Sequence, residues 1–197
     1  MKQEKSSLLV LSFIPICIAI NVIGGQIASM LKLPVYFDSI GTILVALLCG
    51  PLQGLIVGVL TCVVSAIFSP IMLAYIPATA VYGLLIGGLA KKNRTNSFGK
   101  LILTGILLAV TAVLMSSFIT AFVFGGVTET GQSVIIVFLR SIGLELLPAT
   151  MLSSLVTELF DKTISFLICY LIIRNMSARY LTRFPLGKVY IPIRGKK

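Results

Sequence analysis

The sequence predicts an all-α integral membrane protein, a six-helix transmembrane bundle forming a single domain over residues 1–197 with both termini cytoplasmic. Three observations carry that prediction. Hydrophobic residues make up 57% of the 197-residue chain and charged residues 11%, with a mean hydropathy of +1.08. A soluble domain has about a quarter charged residues and about half apolar ones. So small a domain keeps a large surface, and lipid must be the solvent for most of it. The second observation is charge, with 16 Lys and Arg against 6 Asp and Glu. The third is where the basic residues stand. Lys2 and Lys5 flank the start, Lys91, Lys92, Arg94 and Lys100 form one cluster, and a tail from about 174 to 197 holds Arg174, Arg179, Arg183, Lys188, Arg194, Lys196 and Lys197. These thirteen sit between or beyond apolar runs, as the positive-inside rule predicts for cytoplasmic segments. They read as topology signals and contacts with anionic headgroups, not as a nucleic-acid surface.

Each helix then follows from a local signal. The run Leu8 to Leu31 supplies 24 residues, where a span needs about 20. It is too long for a signal-peptide core and is kept as a helix, with Pro15 as its expected kink. "KLPVYF" is a loop, because Pro34 biases Leu33 away from helix. The Gly50-Pro51 pair divides the next run into a short arm, Asp38 to Cys49, and a longer one, Leu52 to Phe68. A short arm of about 18 Å must lie inside the bundle or thin the membrane. Ser69-Pro70 ends the second arm, and a fourth helix runs from Met72 to Ala90. A fifth runs from Leu101 to about Phe124, stopped by Gly125-Gly126. "VTETGQS" is a polar loop on the side opposite the basic clusters. "VIIVFLRSIGLELLP", with Arg140 and Glu145, is expected to be amphipathic and to lie at the interface or over the bundle. The last helix runs from about Ala149 to Ile173.

Within that last helix stand Glu158, Asp161 and Lys162, preceded by twelve uncharged residues and followed by eleven. A charge at the bilayer centre costs about 2.5–3.5 kcal/mol on insertion scales. Glu158 and Lys162 are four apart and share a face, so their pairing offsets part of that cost. One carboxylate then needs a donor from another helix or from a ligand. The group is read either as a salt bridge locking two helices or as the wall of a polar pocket. Asp38 opens the short arm, where a carboxylate caps free N–H groups. Beside it "VYFDSIGT" sets Tyr36, Ser39 and Thr42 at the outer mouth, an aromatic and hydrogen-bonding set that suits a small planar polar ligand. Tyr75, Thr79 and Tyr82 share one face of the fourth helix, as packing or as ligand contacts. Asn21 and Gln26 are read first as helix–helix hydrogen-bonding amides. Glu129, Arg140 and Glu145 form a rim or a lid. Small residues at four-residue spacing, Gly24 with Ala28, Gly54 with Gly58 and Gly83 with Gly87, permit close helix approach.

Several chemistries are excluded. The chain has no His, hence no imidazole metal site or His-based catalysis, and no P-loop or nucleophile elbow. Cys17, Cys49, Cys62 and Cys169 all lie in apolar runs and read as packing residues. No enzymatic role is expected.

"LPVYFDSIGTILVALLCGPLQGLIVGVLTCVVSAI", the following "YIPATAVYGLLIGGLAKK" and the final "DKTISFLICYLIIR" together resemble the substrate-binding S-components of energy-coupling factor (ECF) transporters. The sharpest parts are the Gly-Pro break between two apolar arms and the Asp161-Lys162 pair. The resemblance implies a high-affinity vitamin or micronutrient uptake subunit of an ABC-type importer, multi-pass in the bacterial plasma membrane. It would bind its ligand from outside, hold no cofactor, and dock on a membrane scaffold subunit with two cytoplasmic ATPases that use ATP. For that role the residues singled out above, Tyr36, Asp38, Thr42, Tyr75, Thr79, Tyr82, Glu158, Asp161 and Lys162, are the expected ligand contacts, with Lys162 meeting any anionic group and Asp38 or Asp161 accepting ligand hydrogens. The family's small-residue docking surface on the first helix is not matched in "LLVLSFIPICIA". A substitute along Ser12, Ile16 and Ala19 is expected, with the Gly24/Ala28 pair in the outer half. The rival reading is a non-transporting membrane sensor or assembly protein whose buried charge pair is structural. A stand-alone channel or carrier would instead transport without ATP.

Overall fold

A computed structural model of the chain describes residues 2–128 and 130–191, with side chains from residue 8 onward; the side chains of Lys2 and Lys5, and residues Glu129, Arg194, Lys196 and Lys197, lie outside the described residues. Among the described residues the protein is all helical. In chain order the helices are α1 (Lys2–Met30), α2 (Ile40–Cys49), α3 (Pro51–Ser65), α4 (Ile76–Lys91), α5 (Phe98–Phe122), α6 (Gln132–Ser141), α7 (Leu146–Asn175) and the short α8 (Ala178–Leu181). A 3₁₀ turn at Pro70–Tyr75 leads into α4, and another closes the tail at Gly187–Tyr190. Among the described residues three stretches are, by length and composition, long and apolar enough to cross a membrane: Leu8–Met30, Pro70–Lys91 and Phe98–Phe122.

The short arm is the core. Every residue of α2 from Gly41 to Cys49 is buried, wrapped by α1, α3, α4 and α7. The all-round apolar sequence "TILVALLC" fits such a position, since no face needs to meet water. Gly50 ends the arm at φ +110°, a conformation glycine adopts without penalty. Pro51 starts α3 at the first helical position, where its missing N–H costs nothing. Close packing here depends on absent side chains. A Cβ on Gly41 would stand 2.1 Å from the Cys17 carbonyl oxygen, and one on Gly83 would stand 2.3 Å from the Gly54 carbonyl carbon.

Asn21 ties the same elements together. Its amide nitrogen donates to the hydroxyls of Thr42 and Thr61, each at 3.0 Å, and its oxygen accepts the Gly41 N–H at 2.6 Å. One buried amide thereby joins α1, α2 and α3, the helix-to-helix use expected of it. Thr42 is consumed in that knot.

α1 runs unbroken through Pro15, and its outward residues are large and apolar, including Leu11, Ile16 at 56% exposure and Ile23. An exposed apolar face this continuous belongs in lipid. α5 packs along α7, α3 along α4, and α6 lies against α7. α6 is amphipathic, burying Gln132 and Ile136 while Val134, Val137 and Phe138 face outward. The tail differs from a plain basic extension. Leu181, Phe184 and Tyr190 are buried, the Leu186 N–H donates to the Leu48 carbonyl at 2.9 Å, and the Tyr190 and Thr95 hydroxyls meet at 2.7 Å. Residues 178–190 therefore plug the basic end of the bundle beneath α2.

Candidate functional site

The final helix is expected to hold its charges in its middle, and α7 does. Asp161 is 0%, Lys162 2% and Glu158 3% exposed. The Lys162 ammonium lies 2.7 Å from Asp161 Oδ2, 3.2 Å from Glu158 Oε2 and 3.1 Å from the Ser39 hydroxyl, with its charge 5.4 Å from the centre of the Tyr82 ring. Glu158 pairs one turn away, as the spacing predicts. The shorter contact is to Asp161, the adjacent residue, because the flexible lysine stem folds back beside its own helix.

Asp161 also has a second role that spacing cannot reveal. Its Oδ1 accepts the backbone N–H groups of Tyr36 (3.0 Å) and Phe37 (2.8 Å), 125 and 124 positions earlier. Phe37 stands at φ +55°, a conformation bulky side chains rarely adopt. A buried carboxylate accepting two successive amides holds that turn in place. Gly24 leaves room for it, since a Cβ there would stand 2.4 Å from the Phe37 carbonyl oxygen.

The turn delivers Tyr36 and Asp38 to a cavity of about 900 Å³, counting its open mouth. Seven of the nine residues proposed for ligand contact line it: Tyr36, Asp38, Tyr75, Thr79, Tyr82, Glu158 and Lys162. Thr42 and Asp161 do not, as each is held behind the wall by the partners named above. Asp38 was expected to cap the short arm, but α2 begins at Ile40 with Ser39 at the cap position, and the Asp38 side chain lines the cavity instead. Burial pushes the Asp38 carboxyl above its ordinary range, against the pull of the Lys162 ammonium.

Tyr36 is steadied from the far side. Its hydroxyl donates to the Gln132 side-chain oxygen, and Gln132 donates in turn to the Ser154 hydroxyl at 2.9 Å. The Gly131 N–H donates to the Leu33 carbonyl at 3.1 Å, joining the start of α6 to the same loop. Thr128 and Thr130 face the cavity on either side of Glu129. Arg140 and Glu145 are exposed and off the cavity wall.

Gly25, Ser29, Ser65 and Ser116 were not foreseen on the wall. Small polar residues on apolar helices carry no directional signal until their neighbours are known. Gln132 was missed for the same reason. On α1, Ser12, Ile16 and Ala19 face outward, whereas Ala28 is fully buried and Gly24 packs against the 36–38 turn. The Gly24/Ala28 pair therefore does not form an outer surface: it makes room for the loop.

Among the described residues no cluster of His, Cys, Asp and Glu is arranged to hold a metal ion. The arrangement is a cavity with aromatic, hydroxyl and ionic walls. The model of one family, described as ECF transporter, substrate-specific component, matches residues 10–173. No curated protein and no solved structure matches the chain.

Proposed function

The chain belongs to the ECF transporter substrate-specific components, and from that premise we propose that it is the high-affinity subunit of an ECF-type importer for a vitamin or related micronutrient. It binds the ligand from outside and does no chemistry. It sits as a multi-pass protein in a bacterial plasma membrane, with α1 to α5 and α7 as its six-helix bundle, the short α2 enclosed by the others, and both ends inside. Partner subunits, a membrane scaffold and two ATPases, supply the ATP-driven step.

The observation that best supports this reading is the cavity enclosed by Tyr36, Asp38, Tyr75, Thr79, Tyr82, Glu158 and Lys162. It combines tyrosine rings with hydroxyl, carboxylate and ammonium groups, polar groups of the kind that fix the orientation of a small molecule. Its lining includes Tyr36 and Thr128 from the loops that precede α2 and α6. Docking would use the outward strip Ser12, Ile16 and Ala19 on α1, which offers two small residues one turn either side of Ile16.

Purification of the tagged chain at native expression level from its own cells is expected to bring down one membrane scaffold and two ATPases. Ala19→Trp, on the outward strip, should abolish that association while leaving ligand retention intact. Recovery of the chain without any ATPase would favour the sensor or assembly reading.

A further inference from the structure

The charges around the cavity do not balance. Asp38, Glu158 and Asp161 provide three carboxylates, and Lys162 is the one cation beside them among the described residues. An ammonium has three protons to give. Lys162 gives two of them to Asp161 (2.7 Å) and Ser39 (3.1 Å) and forms an ion pair with Glu158 at 3.2 Å. Its charge is therefore already engaged by two carboxylates before any ligand arrives. Asp38, by contrast, has no ion-pair partner within 4 Å among the described residues, yet it faces the cavity.

A second observation points into the same space. The Ser116 hydroxyl on α5 is 96% buried, lines the cavity and has no hydrogen-bond partner among the described residues. A buried polar group left without a partner costs about 1–3 kcal/mol, so it marks a place where a ligand atom completes the wall. The tyrosines at 36, 75 and 82 surround that space with ring surface. Their π-faces attract cations.

Building on the binding role proposed above, we infer that the ligand is a ring compound carrying a positively charged nitrogen, seated between Asp38 and Glu158 with its ring against the tyrosines. An anionic carboxylate or phosphate ligand is disfavoured, because Lys162, the one cation beside the site among the described residues, is already shared by two carboxylates.

Three matched probes test this on the full-length protein in detergent: benzylammonium, neutral benzyl alcohol and benzoate, each titrated while thermal unfolding is followed. Benzylammonium is expected to bind at least about tenfold more tightly than either other probe. Asp38→Asn should remove most of that preference without lowering the melting temperature of the unliganded protein, since Asp38 has no ion-pair partner within 4 Å among the described residues. Preference for benzoate or benzyl alcohol would overturn the charge inference, yet it would leave the binding role standing. Equal stabilisation by all three, or by none, would also overturn it. If, in addition, no small molecule copurifies with the protein, the binding role fails with it.

Discussion

Replacing Lys162 with methionine is expected to destabilise the protein by about 3–5 kcal/mol, the usual cost of stripping one partner from a buried ion pair. It is also expected to abolish ligand retention. Lys162 is the shared counter-ion of Asp161 and Glu158, and all three are at most 3% exposed. Without it, two carboxylates would stand in a medium that cannot solvate them. The loss reaches the cavity through Asp161, which would no longer hold the amides of Tyr36 and Phe37 in a fixed turn. Adding Glu158→Gln to Lys162→Met should recover part of the stability by removing one stranded charge, but not ligand binding. Thermal unfolding in detergent of the single and double variants separates these effects. If the double variant is no more stable than Lys162→Met, charge burial is not the cause.

Gly87→Ala is the second large effect. A methyl at this position would stand 2.3 Å from the Pro51 nitrogen and 2.4 Å from its Cα. Both are backbone atoms at the break between α2 and α3, so no side chain can swing aside. Overpacking costs about 1–3 kcal/mol, and a backbone clash belongs at the upper end. Because α4 also carries Thr79 and Tyr82, pushing it away from α3 should weaken ligand binding. Gly88→Ala is the internal control. Nothing lies within 4 Å of its new methyl, and a helical glycine gains up to about 1 kcal/mol on replacement by alanine. Adjacent glycines should therefore respond in opposite directions in the same unfolding assay.

Much of this architecture was legible from local chemistry. The Gly50-Pro51 break is readable because glycine permits the turn and proline starts a helix, and both arms appear where it places them. The burial of α2 follows from an arm too short to span yet apolar all round. The facing of Glu158 and Lys162 follows from helix periodicity alone. The second role of Asp161 does not, because its acceptors' partners are backbone amides more than a hundred residues away. Gly24 and Ala28 show a related limit. Spacing shows that a helix can be approached closely, but not whether a partner subunit or the chain's own loop does so. The tail misled for a different reason: seven basic residues hide Leu181, Phe184 and Tyr190, whose burial depends on a socket formed by other elements.

The charge cluster was read as either a structural lock or a pocket wall. In the fold these roles divide within a single helix. Asp161 faces the 36–37 turn and locks it, while Glu158 and Lys162 reach the cavity. A helix turns about 100° per residue, so positions one and three apart can serve different neighbours.

The central claim is that this cavity holds a small water-soluble molecule tightly. Native mass spectrometry of the detergent-purified protein, prepared from cells grown in rich medium, tests it most directly. One stoichiometric adduct is expected on the native chain, and it should be absent from a folded Tyr82→Ala variant. Repeated preparations from media containing every vitamin that yield only the bare mass, or an adduct unaffected by Tyr82→Ala, would contradict the claim.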